Sequence, residues 1–547
     1  MRGFHLLIFL LAASATSAQT AIHNVTGYTS TETGVVQFEV LVFADDGRVL
    51  ATGGPASLAE YATARRIDGG GRYLLPGLTD AHAHMANLGF LATSLDLAGT
   101  PSLEDALQRI ADYADGNPHV DWIEGRGWNQ VLWPVQEFPT AADIDAVVSD
   151  RPVWLERIDG HAGWANSVTL RLAGIDDSTL DPVGGKIIRD RNGHATGILI
   201  DRAKDLVTGH VPAATSIELR NAILEAVNTL LPLGITSVHD TGIDRNMAAV
   251  YMALADDAVL ELRVYAMLAD AGANLDAVGK PIIAYGNDHL DIRSVKIYAD
   301  GALGSRGAAL LEPYSDDVEN RGLLFVAVDE LFRDVRKANR MGFQVGVHAI
   351  GDRGNRLALD AFERAQAGQP SPLRNRVEHA QVIALDDIPR FAALGVVASM
   401  QPTHATSDMN MAEDRIGAER IKGAYAWQRL LQSGAVIASG SDFPVELPNP
   451  FYGLYAAVSR QHRDGLPAGG WYAAEAMSRE QALHSFTLAA AYAAHQEDRL
   501  GSLEPGKWAD FILVDGDYFE VSTDRIDDIR VLETWVSGKR VYARGSE

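Results

Sequence analysis

The chain has 547 residues, 47% hydrophobic and 22% charged, an ordinary globular composition that excludes wholesale disorder. Its 47 Lys and Arg stand against 72 Asp and Glu, a net charge of −25 with no basic run to offset it, which argues against a nucleic-acid partner. There is no cysteine, so disulfides and a lipid-anchored cysteine are excluded, and stability must come from packing, with metal as the remaining staple.

In chain order, residues 1–18 carry one Arg, an apolar core over 6–13 and small residues ending at Ala18. That is the pattern of a secretory signal peptide cut near Ala18-Gln19, with a buried N-terminal helix as the alternative, and it implies a periplasmic or secreted address. No later stretch approaches the roughly 18 apolar residues of a membrane span. Residues 19–76 read as short strands, with apolar alternation and an Asp-Asp-Gly turn in "GVVQFEVLVFADDGRVLATGG". Residues 500–547 look alike: a Pro-Gly turn precedes the apolar run Phe511–Val514, and "IRVLETWVSGKRVYA" supplies two further strands. The two ends together predict one composite β-sandwich domain.

Between them, over 77–499, β-rich runs alternate with helical patterns such as "DELFRDVRKANRMG", the signature of repeated βα units. The runs are "YLLPGLTDAHAH", "GITSVHDTG", "LRVYAMLAD", "SVKIYADG", "FQVGVHAIGD", "RVEHAQVI", "VVASMQP" and "AVIASGSDFP". Eight such strands close a (β/α)8 TIM barrel, an α/β fold. Residues 101–231 have strands of their own and read as an α/β insertion after strand one.

Active sites of such barrels lie where the strands end. Strand one ends in His82 and His84, strand four carries Lys296, strand five ends in His348, strand six in His379 and strand eight in Asp442. Alternation sends residues i and i+2 to one face, so His82 and His84 can both point into the mouth as ligands of one ion. His348 and His379 add nitrogen donors and Asp442 an oxygen, a set suited to Zn²⁺ and to other divalent transition metals. Each element alone is as consistent with a turn or a helix cap; the ordered set at four strand ends is what points to a metal centre.

"DAHAHM", "SVKIYADG", "VGVHAIGD", "RVEHAQ" and "ASGSDFPVE" stand in the order found in the amidohydrolase superfamily, which the chain resembles. Further stretches resemble its YtcJ-like branch, which includes N-substituted formamide deformylase: "GRGWNQVLWP", "RPVWLERIDGHAGWANS", "DGALGSRGAAL" and "RLGSLEPGKWADFILVD". The resemblance spans roughly residues 25–543 and implies His82, His84 and Asp442 on a first metal and His348 and His379 on a second. Lys296 falls where many superfamily members carry a carbamylated lysine bridging two ions. A bare ammonium cannot be a ligand, whereas a neutral amine can add CO₂. The other readings of Lys296 are an ion pair with Asp300 or a substrate contact, and the number of ions, one or two, hangs on this residue.

The resemblance further implies hydrolysis of a C–N bond in a small-molecule amide, such as an N-acyl or N-formyl compound. Asp442 is placed to take a proton from the attacking water and deliver it to the leaving nitrogen. Ester, lactone or carbamate hydrolysis is the alternative chemistry, and a non-catalytic metal-binding regulator the alternative class. His239 and Asp240 end strand two and could orient ligands. His161 of "DGHAGWANS", His239, Ser305 and Arg306 are candidate substrate contacts, each with a core or surface-loop role as its alternative. Trp128, Trp133, Trp154 and Trp164 in the insertion could roof an apolar pocket or build a core. Asn24-Val25-Thr26 fits a glycosylation triplet. The oligomeric state stays open, a homo-oligomer included.

Overall fold

The computed structural model describes residues 19–157, 162–182 and 185–545. Residues 1–18, which the sequence reads as a signal peptide, and His161 lie outside these residues. Contacts divide the chain into two units: one joins the segment ending at His84 to the segment beginning at Val227, the other is Met85–Ala226.

In the first unit eight parallel strands follow one another in sheet order: Leu78–Ala83, Ile235–Ile243, Arg263–Leu268, Leu290–Tyr298, Gln344–Ala349, Arg376–His379, Val397–Met400 and Ile437–Ser439. They fall on the eight runs expected from the sequence, and we refer to them as barrel strands one to eight. The ring closes just beyond strand eight, where the Asp442 N–H donates to the His82 carbonyl at 2.8 Å and the His84 N–H to the Phe443 carbonyl at 2.9 Å. Strand one is buried at every residue, as a strand enclosed on both faces must be.

A seven-stranded sheet takes strands from both ends of the chain. Its order is Lys539–Ala543, Val531–Val536, Phe511–Val514, Arg65–Pro76, Gln19–Thr31, Gly34–Ala44, Val49–Gly53. Alternation sorts its faces: Leu41 and Phe43 join Phe511, Leu513 and Trp535 in one core, while Val40 and Val42 pack with Ala21 and Ala64 on the other. Pro76 is the last residue of a sheet strand and Leu78 the first of the barrel, so Pro76-Gly77 is the joint between them. A buried ion pair pins sheet to barrel. The Arg263 guanidinium of strand three, fully buried, donates from Nε to Asp510 Oδ2 at 2.7 Å and from Nη2 to Asp510 Oδ1 at 3.0 Å.

The second unit has its own six-stranded sheet, running from Leu95–Asp96 at one edge to Gly185–Arg189 at the other. Its helix Leu103–Gly116 starts at Ser102, whose hydroxyl accepts from the Asp105 N–H at 3.1 Å. Trp128, Trp133 and Trp164 are core residues here, Trp128 and Trp164 with ring centroids 6.0 Å apart, and Trp154 packs in a neighbouring cluster. The core role is therefore the one the tryptophans take. Among the described residues no helix is long and apolar enough to cross a membrane.

Candidate metal centre

The mouth of the barrel gathers the residues that the sequence places at the strand ends. His84 Nε2 lies 3.1 Å and His82 Nε2 3.6 Å from the same carboxylate oxygen, Asp442 Oδ1. His82 and His379 have ring centroids 4.7 Å apart, and His379 and His348 4.5 Å. Lys296 Nζ is 3.2 Å from His82 Nε2. These six side chains line one cavity of about 380 Å³, together with Tyr298, Leu303, Ile350, Gln381, His404, Asp408 and Glu446.

Each of three histidines is held by a hydrogen bond on the ring nitrogen turned away from the cluster. His82 Nδ1 donates to Glu378 Oε2 at 2.6 Å, His84 Nδ1 to the Thr241 carbonyl at 3.1 Å, and His379 Nδ1 to Gln401 Oε1 at 2.9 Å. Fixing the proton on Nδ1 leaves the Nε2 lone pair free, the arrangement that orients metal-ligating histidines.

Charge states agree. Burial, with the neighbouring Lys296 cation, lowers His82 to about 4 and His348 to about 3, and burial with the adjacent His348 and His82 holds His379 well below the usual imidazole range. All three are neutral near pH 7 and able to donate lone pairs. Burial alone would raise Asp442, but the His84 hydrogen bond and the nearby imidazoles bring it down to about 2, an anion. His348 Nε2 makes no hydrogen bond among the described residues, and donor atoms of His82, His379 and Asp442 lie within 4.8 Å of one another. An unpartnered buried nitrogen beside converging imidazoles and a carboxylate is what a divalent cation would satisfy, so the residues fit a metal.

The relationships agree with this geometry. A sequence profile described as "Amidohydrolase family" matches residues 65–542. The chain belongs to that family.

It is 32% identical to the amidohydrolase-type protein YtcJ of Bacillus subtilis (strain 168), over 92% of this chain and 96% of that one. It is 26% identical to N-substituted formamide deformylase of Arthrobacter pascens, over 92% and 95%. Among solved structures, an uncharacterized metal-dependent hydrolase from Pyrococcus furiosus superposes with a TM-score of 0.78 at 30% identity, covering 92% of this chain and 100% of that one.

Several residues that build the amidohydrolase site are not the ones strand ends single out. Glu378 is fully buried between His82 and Arg376, with Arg376 Nε 2.8 Å from its Oε1. Arg376 also donates to the Ala81 carbonyl at 2.7 Å and to Ser399 Oγ at 2.8 Å, tying strands one, six and seven together. Burial raises the Glu378 carboxyl, yet Arg376, His82 and Lys296 outweigh it and hold the group below the usual carboxylate range.

Strict alternation would turn His379 outward once Arg376 and Glu378 point in. His379 instead has φ 72° and Asp442 φ 64°. Left-handed backbone at a non-glycine residue costs on the order of 1–3 kcal/mol and persists only where the surroundings enforce it. Both functional side chains reach the cavity through that strain.

Asp80, the aspartate of "DAHAHM", clamps strand one to the Asp442 loop: its carboxylate accepts from Ser441 Oγ at 2.6 Å and from the Ser441 N–H at 3.0 Å. Burial raises Asp80 to about 7. Gly440 makes this contact possible, since a Cβ there would stand 2.4 Å from Asp80 Oδ1 and 2.5 Å from the His82 nitrogen. His404 is a further missed residue, with Nε2 3.8 Å from Asp442 Oδ2. Its signal was a histidine four residues past the end of strand seven, in "MQPTHAT".

The secondary candidates land elsewhere. Asp300 does not take Lys296 as its partner; it accepts from the Ala309, Ile350 and Gly351 N–H groups at 2.8, 2.9 and 2.8 Å. His239 is fully buried beneath the mouth, its Nδ1 2.8 Å from Arg376 Nη1, which makes it a support of the barrel interior and not a substrate contact. Asp240 accepts from the Tyr251 hydroxyl at 2.5 Å. Arg306 is drawn from the cavity by Asp316, at 2.9 and 3.1 Å, and Ser305 is exposed with its hydroxyl on the Ala302 carbonyl. The surface-loop reading is the one that fits both.

Proposed function

We propose that this amidohydrolase cleaves a C–N bond in a small-molecule amide, of the N-acyl or N-formyl class. The observation that carries the reading is the convergence of four imidazoles, Lys296 and the Asp442 anion on one cavity of about 380 Å³, a size suited to a small molecule. The 26% identity to a deformylase of substituted formamides supports the same chemistry.

His82, His84, His348, His379 and Asp442 would hold the metal, with Zn²⁺ the ion this donor set suits best. When bound, the ion polarises the substrate carbonyl and makes water acidic enough to attack near neutral pH. Burial lowers Lys296 to about 8, which leaves a minor fraction of neutral amine near pH 7 for carbamylation. As a carbamate it would add an anionic oxygen donor next to His82.

Asp442 performs the proton traffic. Held as a carboxylate, it accepts the proton of the attacking water and returns it to the leaving nitrogen as the C–N bond breaks. Glu378 and Gln401 keep His82 and His379 in one tautomer while this happens. Residues 1–18 carry the pattern of an export signal, and we place the mature enzyme in the periplasm or outside the cell.

The test is a panel of N-formyl, N-acyl, ester and carbamate compounds offered to the Zn²⁺-loaded protein and to Asp442→Asn. Amide turnover lost by 10³-fold or more in the variant, with metal content retained, supports the reading. Ester or carbamate turnover without amide turnover reassigns the substrate class, and stoichiometric metal without hydrolysis of any compound assigns a binding protein.

A further inference from the structure

Asp442 presents its two oxygens to different neighbours. Oδ1 faces His82 and His84 at 3.6 and 3.1 Å, while Oδ2 faces His404 Nε2 at 3.8 Å. The second gap is too long for a hydrogen bond. His404 Nε2 is shielded from solvent and makes no hydrogen bond among the described residues, although its residue lines the cavity. Its ring lies nearly parallel to His379, at 14° with centroids 5.9 Å apart, and the short helix Pro402–Asp408 carries it. That helix starts just after Gln401, which holds His379. One segment therefore positions both imidazoles, one turned to the ligand cluster and the other to the outer oxygen of the proton carrier.

We propose that His404 is a catalytic residue that binds the leaving nitrogen. This role rests on the amide-hydrolase reading above and names the part of the substrate that meets the strand-seven loop. A secondary amide bound with its nitrogen between Asp442 Oδ2 and His404 Nε2 donates its N–H to Nε2. That bond turns the nitrogen lone pair, as it develops during attack on the acyl carbon, toward Asp442. Water supplies the oxygen that ends on the acyl carbon, the C–N bond breaks with its electron pair on nitrogen, and the nitrogen takes the proton that Asp442 received from that water. An ester of the same acyl group offers no N–H, so it gains nothing from His404.

The experiment compares the metal-loaded full chain with His404→Ala and His404→Gln on a secondary anilide and on the phenyl ester sharing its acyl group. Metal content and unfolding temperature are measured on each protein. The role requires kcat on the anilide to fall by about 100-fold in His404→Ala, the size of one lost transition-state hydrogen bond. Ester turnover should stay within about 3-fold, metal content and unfolding temperature should not move, and His404→Gln, whose carbonyl oxygen can accept the N–H, should recover part of the anilide rate. An ester that is bound but not cleaved is read as a competitive inhibitor, and its inhibition constant should be the same in wild type and His404→Ala. Equal loss on both compounds, no loss on either, or a lower metal content in His404→Ala overturns the role. A wild-type protein that cleaves the ester and no amide overturns the parent reading, and with it this one.

Discussion

Replacing Glu378 by Gln tests whether the buried charges under the mouth hold the histidines of the candidate metal centre. The change keeps the shape and one acceptor oxygen but removes the charge that faces Arg376. Both side chains are fully buried, and among the described residues Arg376 also meets three neutral groups: the Ala81 carbonyl, Ser399 and His239. Removing one member of a buried pair leaves an uncompensated ion and costs about 3–5 kcal/mol. We expect the lower end, about 3 kcal/mol, because the amide still accepts one hydrogen bond.

A second effect runs through His82, whose Nδ1–H rests on Glu378 Oε2 at 2.6 Å. Weakening the acceptor behind a metal-ligating histidine typically costs about 10–100-fold in metal affinity. Urea unfolding of the metal-free protein reads the first effect and a competitive metal titration the second. Adding Arg376→Met removes the stranded cation, so the double variant should regain most of the stability and show a coupling of at least about 1 kcal/mol. A Glu378→Gln protein with wild-type unfolding midpoint and wild-type metal affinity would refute the reasoning.

Gly440→Ala forces a Cβ to within 2.4 Å of Asp80 Oδ1 and 2.5 Å of the His82 nitrogen, so the junction of strands one and eight must open. We expect about 1–3 kcal/mol of destabilisation in a thermal melt, with activity lost because Asp442 moves; an unchanged melt would show that the loop yields freely. Asp510→Asn strands the buried Arg263 guanidinium between sheet and barrel. It should lower stability by about 3 kcal/mol while leaving kcat at 25 °C near normal, since neither residue lines the cavity. Removing metal with a chelator should abolish turnover and lower the unfolding temperature, with Zn²⁺ restoring both. At 100 times its dissociation constant a bound ion contributes about 2.7 kcal/mol, so a melt that ignores chelator and Zn²⁺ alike would argue against a metal centre at the mouth.

The eight barrel strands were legible because each is a short apolar run followed by a helical pattern, and period two requires nothing from distant residues. The composite sheet was legible for a similar reason, since both ends of the chain carry alternating strands with turn residues between them. His82, His84, Lys296, His348, His379 and Asp442 could be named because a parallel barrel places all its strand ends on one rim, so order along the chain becomes neighbourhood in space. The substrate candidates fared differently. Nothing local in "GSRGAAL" shows that Arg306 is taken by Asp316, or in "SVHDTG" that His239 sits beneath the rim beside Arg376.

The sequence by itself thus determined the rim and the donor types gathered on it. Tertiary structure decided which atom of each donor faces the cavity. The hydrogen bond of His82 to Glu378 spans 296 residues and the clamp of Asp80 on Ser441 spans 361. His379 reaches inward only because its neighbours hold a backbone angle that its own alternation would forbid. Tautomer, charge state and side-chain direction are set by neighbours remote in the chain. That is why Glu378, Arg376, Asp80 and His404 came to light only when the strands were assembled.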